Sequence, residues 1–173
     1  MEVEAVVLMA TKAERLHMRD LMTRLLDYEP QVRYPRGDIR GAKDAETFRL
    51  TETQLRARLK AGGEIMFDCS QAVTQLCKWA GLDDPNGLKY RWPGYTGTLL
   101  AHLTHYAKAS AAGIGAIVVY GPGTGDHASM VYEPGTDPLL WSHGFDGGPQ
   151  LVRLSRQRSY HRAPVTFCSI AKL

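Results

Sequence analysis

The residues with the clearest capacity for chemistry stand in the stretch Phe67-Asp68-Cys69-Ser70-Gln71-Ala72-Val73. An acid, a cysteine and a serine open an apolar run with helical spacing. Asp68 suits an N-cap, and Gln71, three positions on, suits the reciprocal place. Cys69 then falls in the first helical turn. Unpaired backbone N–H groups and the helix dipole favour a thiolate there. A thiol nucleophile needs a base, and the base needs a group that orients it. His127 opens a strand directly after a glycine turn, and His143 closes a strand one hairpin later. If the two strands are antiparallel neighbours, the imidazoles stand side by side. The expected constellation is Cys69 as nucleophile, His127 as base and His143 as orienter. The backbone N–H of Cys69 is one oxyanion donor. Singly, each residue has a plainer reading: a lone strand histidine is more often structural, and Cys77 and Cys168 read as small core residues.

These residues require a helix and a set of strands to hold them. Cys69, Val73, Leu76, Cys77 and Ala80 recur at helical intervals, and Gly81 closes the helix. Before it, Thr11 with Glu14 forms a capping-box pattern, although the helix is open to an earlier start near Glu2. Leu16, Leu21, Leu25 and Leu26 give it an apolar face, and Pro30 stops it. Residues 30–47 read as an irregular, basic connection with Arg33, Arg36, Arg40 and Lys43. Tyr34 is a candidate substrate contact in it. Thr51 with Gln54 caps a short helix that carries Leu55 and Leu59 and ends at Gly62-Gly63. The aromatic loop 82–97 offers Trp92 as a wall of a cleft. Thr98 begins a further helix with Leu99, Leu103 and Tyr106 on one face, ending at Gly113.

From Gly115 the period changes to that of strands: 116–120, 127–133, 139–143, then short strands near 151–154 and 165–170. Helices first and neighbouring strands after make an α+β fold with an antiparallel sheet, the Cys69 helix packed on one face. The chain reads as one domain over 1–173, with a helical part at 1–63 and the chemical core at 64–173.

The bulk properties narrow the class. The chain has 173 residues, 44% of them apolar and 23% charged, with a net charge of +3. That is too weak a basic excess for nucleic-acid binding, and it suits an anionic polymer. Three cysteines do not make a disulfide framework. No apolar run approaches the roughly 20 residues of a membrane span, so no membrane insertion is expected. The N-terminus lacks the basic region of a signal peptide, which points to synthesis in a reducing cytosol.

The run Phe67-Asp68-Cys69-Ser70, followed by strands bearing His127 and His143, resembles the NlpC/P60 family of cysteine peptidases. The stretches Ala80 to Gly87 and Gly94 to Leu100 are similar to peptidase domains of actinobacteriophage endolysins. The likeness covers about residues 64–145. It implies a papain-like fold and a monomeric peptidoglycan hydrolase that needs no metal or cofactor. The reaction implied is cleavage of a stem-peptide amide, between D-glutamate and diaminopimelate, through a Cys69 thioester. Asp68 and Ser70 match positions that shape the cleft and hold the stem. Gln71 departs from the family's glycine. The long interval from His127 to His143 leaves Ser142 and Asp146 as candidates for the third role. A phage lysin made in the host cytoplasm without a signal peptide reaches the wall after holin-type release.

Three other readings compete. One is a CHAP-type amidase or endopeptidase. Another is a non-catalytic wall-binding module with a peptidase fold. The third is a zinc protein using Cys69, His102, His105 or His127.

Overall fold

The computed structural model describes residues 8–35, 42–106, 108–144 and 147–172. The first elements are β1 (Leu8–Met9) and α1 (Lys12–Asp27). The Thr11–Glu14 capping box forms, so the helix begins at Lys12; Glu2 lies outside the described residues. The buried face of α1 is Met18, Leu21, Met22 and Leu25. Leu16, expected on that face, is instead exposed, because it falls out of phase with the 18-21-22-25 stripe.

A single 3-10 turn at Glu29–Gln31 leads into β2 (Val32–Arg33). The segment read as an irregular connection contains a helix, α2 (Ala42–Arg49). Its C-terminal end is held by the later helix that begins at Cys69: Lys78 Nζ donates to Phe48 O at 2.6 Å, and Trp79 Nε1 donates to Leu50 O at 2.9 Å. Tertiary donors thus satisfy carbonyls that a short helix leaves open. Next come α3 (Glu52–Lys60), with the expected Thr51–Gln54 capping box and buried Leu55 and Leu59, and β3 (Ile65–Met66), which pairs parallel with β2.

The central helix, α4 (Cys69–Trp79), is buried along almost its whole length. Gly81 follows it at φ +71, the left-handed geometry that glycine adopts most easily. The next helix, α5 (Thr96–His102), starts before Thr98 and stops well short of Gly113. Thr98 is its third residue, and its Oγ1 accepts from Tyr95 N at 2.9 Å. Tyr106 N instead pairs with Phe167 O, which draws the chain toward the sheet.

The sheet is made of β4 (Ile117–Tyr120), β5 (His127–Glu133), β6 (Leu139–His143), β7 (Pro149–Arg153) and, after the short α6 (Leu154–Gln157), β8 (Val165–Cys168). The final β9 (Ala171–Lys172) pairs with β1. The order is β7-β6-β5-β4-β8, and every pairing is antiparallel. The fold is therefore α+β, with six helices and an antiparallel five-stranded sheet among the described residues.

Both faces of this sheet are covered, which explains why β4 is buried at every position. Ala128, Met130 and Trp141 face a large core with Ala72, Val73 and Leu76 of α4 and Met18, Leu21 and Leu25 of α1. On the other face, Val118, Tyr120, Val131, Leu140 and Phe167 pack with Leu154 of α6. Truncating a fully buried leucine such as Leu76 to alanine costs about 2–5 kcal/mol in such a core.

Candidate active site

Cys69 stands where its local sequence places it, in the first turn of α4. The Asp68 carboxylate accepts from Gln71 N at 2.8 Å and from Ser70 Oγ at 2.9 Å. The side chain of Ser70 is thereby turned inward, and its residue is buried. The Cys69 sulfur meets the Tyr34 hydroxyl at 3.9 Å and the backbone N–H groups of Ala128 and Ser70. Those donors favour a thiolate. Burial, and then the Asp68 charge, work against it more strongly and push the thiol up. Burial thus opposes the thiolate that the helix start favours. A helix N-terminus lowers a thiol pKa where the sulfur stays hydrated, and Cys69 is only 7% exposed.

His127 is the first residue of β5, and its ring lies on the face of the sheet away from α4. Its Nε2 is 2.9 Å from Ser142 Oγ and 3.1 Å from Gln157 Nε2. The Gln157 amide organises the whole group. Its nitrogen donates to Ser142 Oγ at 2.5 Å, and its oxygen accepts from Tyr120 Oη at 2.9 Å and Ser129 Oγ at 3.2 Å. With the amide so turned, His127 Nε2 accepts and the proton of the neutral ring sits on Nδ1. The ring is stacked on His161, with centroids 4.3 Å apart. Burial, then the charges of His161 and His143, push the His127 pKa down to about 3.

His143 does not stand beside His127. It follows Ser142 in β6, and successive strand side chains point to opposite faces. Since Ser142 shares the His127 face, His143 projects to the α4 side. There it packs near Phe67, Tyr34 and Trp141, at centroid distances of 5.1, 5.3 and 6.3 Å. Its Nε2 donates toward Phe67 O at 3.0 Å and Arg33 O at 3.3 Å. Its Nδ1 is buried without a hydrogen-bond partner among the described residues. Burial pushes its pKa down to about 4. His143 therefore fastens β6 to the backbone that enters α4. It positions the cysteine's helix rather than His127. Ser142 takes the contact expected of His143, and Asp146 lies outside the described residues.

Among the described residues, the Cys69 sulfur makes no hydrogen bond to either imidazole; those of His127 and His143 go to the groups just named. Tyr34 links the two sides. Its hydroxyl covers the sulfur, and the residue also lines a cleft of about 560 Å³ with His127, Ser142, Gly144 and Gln157. Trp92 does not line this cleft. It stands 46% exposed and is stacked on Tyr95 at 6.4 Å. The loop that carries it is tied from within by Asp84, which accepts from the backbone N–H groups of Asn86, Leu88 and Tyr90.

No family model matches this chain, and no curated protein or solved structure is matched by it. Among the described residues, no helix is long and apolar enough to cross a membrane.

The chemical capacity of the site rests on its own groups. A buried neutral imidazole, fixed by a serine and a glutamine, faces an open cleft. A thiol with backbone donors around it lies behind Tyr34, against the next residue of the same strand. Gln157 and His161 carried no signal in the sequence. They come from a segment of one helical turn and a loop, and only the fold brings them to His127. His105, weighed as a metal ligand, instead has its Nε2 at 3.0 Å from Leu100 O.

Proposed function

We propose that this chain is a cysteine peptidase with a papain-like NlpC/P60 fold that hydrolyses a stem-peptide amide of peptidoglycan. The observation that carries this reading is the convergence at the start of β5. The Cys69 sulfur lies against Ala128 N–H, while the preceding residue, His127, is held by Ser142 and Gln157 beside the cleft.

The chemistry runs as base catalysis from a resting thiol. A neutral His127 takes the Cys69 proton, and the sulfur attacks the amide carbonyl carbon. The Cys69 backbone N–H meets the developing oxyanion. The imidazolium then returns its proton to the leaving amine, and water hydrolyses the thioester. Nδ1 is the ring nitrogen outside the Ser142–Gln157 network, so it is the one available to the thiol. It accepts a proton once the ring proton moves to Nε2, where Ser142 Oγ and a turned Gln157 carbonyl receive it. Sulfur and ring approach the sheet from opposite faces, so the reaction also requires a rearrangement at the start of β5 that brings them into reach. The diaminopimelate-type stem, cut after D-glutamate, is the substrate this reading names. The site of action is the wall, after release from the host cytoplasm.

The test is digestion of diaminopimelate-type peptidoglycan by wild type and Cys69→Ala, with mass spectrometry of the fragments. Wild type releases cut stems and Cys69→Ala does not. Thiol alkylation abolishes release, and EDTA leaves it intact. Equal release by both proteins rejects the mechanism.

The separation of the sulfur from both imidazoles favours a second reading, a non-catalytic module that holds stem peptides without cutting them. Binding to wall material with no fragment released by the wild type would select it. A CHAP-type amidase or endopeptidase uses the same groups and is distinguished by which amide is cut.

A further inference from the structure

Resting on the reading of the cleft as a stem-peptide site, we propose that Arg156 forms a subsite for a free carboxylate of the bound peptide. Arg156 sits on α6 and lines the same cleft as His127, with Gln150, Tyr160 and His161 beside it. The charge pattern of the wall supports an anion. Asp126 is the acid lining the cleft among the described residues, and it is already matched. Its two oxygens receive Arg162 Nε at 2.8 Å and Nη2 at 2.7 Å. The guanidinium of Arg156 is in no ion pair among the described residues. Its helical turn lies in a C-terminal segment, residues 147–173, with Arg153, Arg156, Arg158, Arg162 and Lys172 and no aspartate or glutamate. An uncompensated guanidinium at the edge of a cleft is suited to a planar carboxylate, which it receives through two parallel N–H donors. Gln150 and Tyr160 supply neutral donors on the same wall.

The ligand class is an acidic peptide with a free carboxylate near the amide presented to His127. A D-glutamyl or diaminopimelyl unit has that chemistry, and its carboxamide does not. The subsite thus separates non-amidated from amidated stems.

The experiment uses the full chain and two synthetic peptides, L-Ala-γ-D-Glu-diaminopimelate and the same peptide with its α-carboxylates amidated. Affinities are measured by calorimetry for wild type, Arg156→Gln and Arg156→Lys, with Arg49→Gln as a surface-charge control. The wild type binds the carboxylate form at least about 10-fold tighter, as an ion pair with directed hydrogen bonds requires. Arg156→Gln abolishes that preference and leaves affinity for the amidated form unchanged. Arg156→Lys keeps part of it, and Arg49→Gln keeps all of it. Equal binding of the two peptides by wild type, or an undiminished preference in Arg156→Gln, overturns the subsite, as does failure to bind either peptide. Because binding is the readout, a peptide that binds with the stated preference but is never cut rejects the peptidase reading and leaves the subsite standing.

Discussion

His127 and His161 stand ring against ring, with planes 2° from parallel and centroids 4.3 Å apart. The pair is clamped at its neighbours, since Asp126 and Arg162 form a bidentate ion pair beside it. Tyr120 packs near both rings, at 5.9 Å from His127 and 5.0 Å from His161. His161 thus limits the tilt of the His127 ring and adds a cation next to it when protonated.

Replacing His161 follows from that stack. His161→Ala removes both the cover and the like charge, so the His127 pKa rises from its depressed value toward 6.5. A neutral base is lost as pH falls through its pKa, so the acid limb of the rate profile moves to higher pH. His161→Phe keeps the cover and moves the limb less. Identical limbs in all three proteins would remove His161 from any influence on the base.

Gln157 is the hub of the buried polar group on the His127 face. Gln157→Leu removes the amide that Tyr120 Oη, Ser129 Oγ and Ser142 Oγ share, and leaves Ser142 with His127 alone. Unsatisfied buried groups cost about 1–3 kcal/mol each, partly relieved by rearrangement, so a loss of about 2–4 kcal/mol is expected in urea unfolding. Activity should fall further than stability, because the ring of His127 loses an anchor. Ser142→Ala should weaken activity less than Cys69→Ala does. The reverse order would move the nucleophile to the serine.

Acid stability provides a test of the two buried histidines. Both have folded pKa values below the ordinary 6.5, about 3 for His127 and about 4 for His143. The unfolded chain therefore binds more protons as pH falls below about 6.5. Their contribution is fully present above that pH and is lost as pH falls toward the folded values, by up to about 1.4 kcal/mol per pH unit for each. Unfolding midpoints measured between pH 7 and pH 4 should drop steeply. His143→Gln should flatten the slope even though it lowers stability at pH 7.

Thiol reactivity should separate the three cysteines. Cys77 and Cys168 are buried and their thiols are pushed up, so neither reacts in the folded protein. Cys69 is covered by Tyr34. Tyr34→Ala uncovers the sulfur and should speed its alkylation by iodoacetamide at least about 10-fold, as exposure relieves the desolvation that holds the thiolate back. Tyr34→Phe keeps the cover but removes a donor that favours the thiolate, so it should leave the rate equal or slower. Mass spectrometry of the labelled protein locates the adduct. Labelling of Cys77 at the same rate as Cys69 would contradict the packing described.

Much of this protein was legible residue by residue. The Asp68 cap, the two capping boxes, the start of α4 at Cys69 and the strand-opening position of His127 are local features. They depend on hydrogen bonds and periodicities that span only a few residues. Other features required the assembled chain. The strands of His127 and His143 are neighbours as expected. Which of Ser142 and His143 shares the His127 face is a matter of parity, set by the β5–β6 register and its shift between Val131 and Glu133. One residue of register exchanges the two faces, and no local pattern in either strand records it. Burial of the first turn of α4 pushes the Cys69 thiol up against the pull of its helix dipole, because desolvation is a property of the packing around the sulfur. Gln157, His161 and Arg156 reach the cleft only because the chain turns back after β7. The sequence located Cys69 at a helix start and His127 at a strand start, while the tertiary structure decided which side of the sheet each one faces.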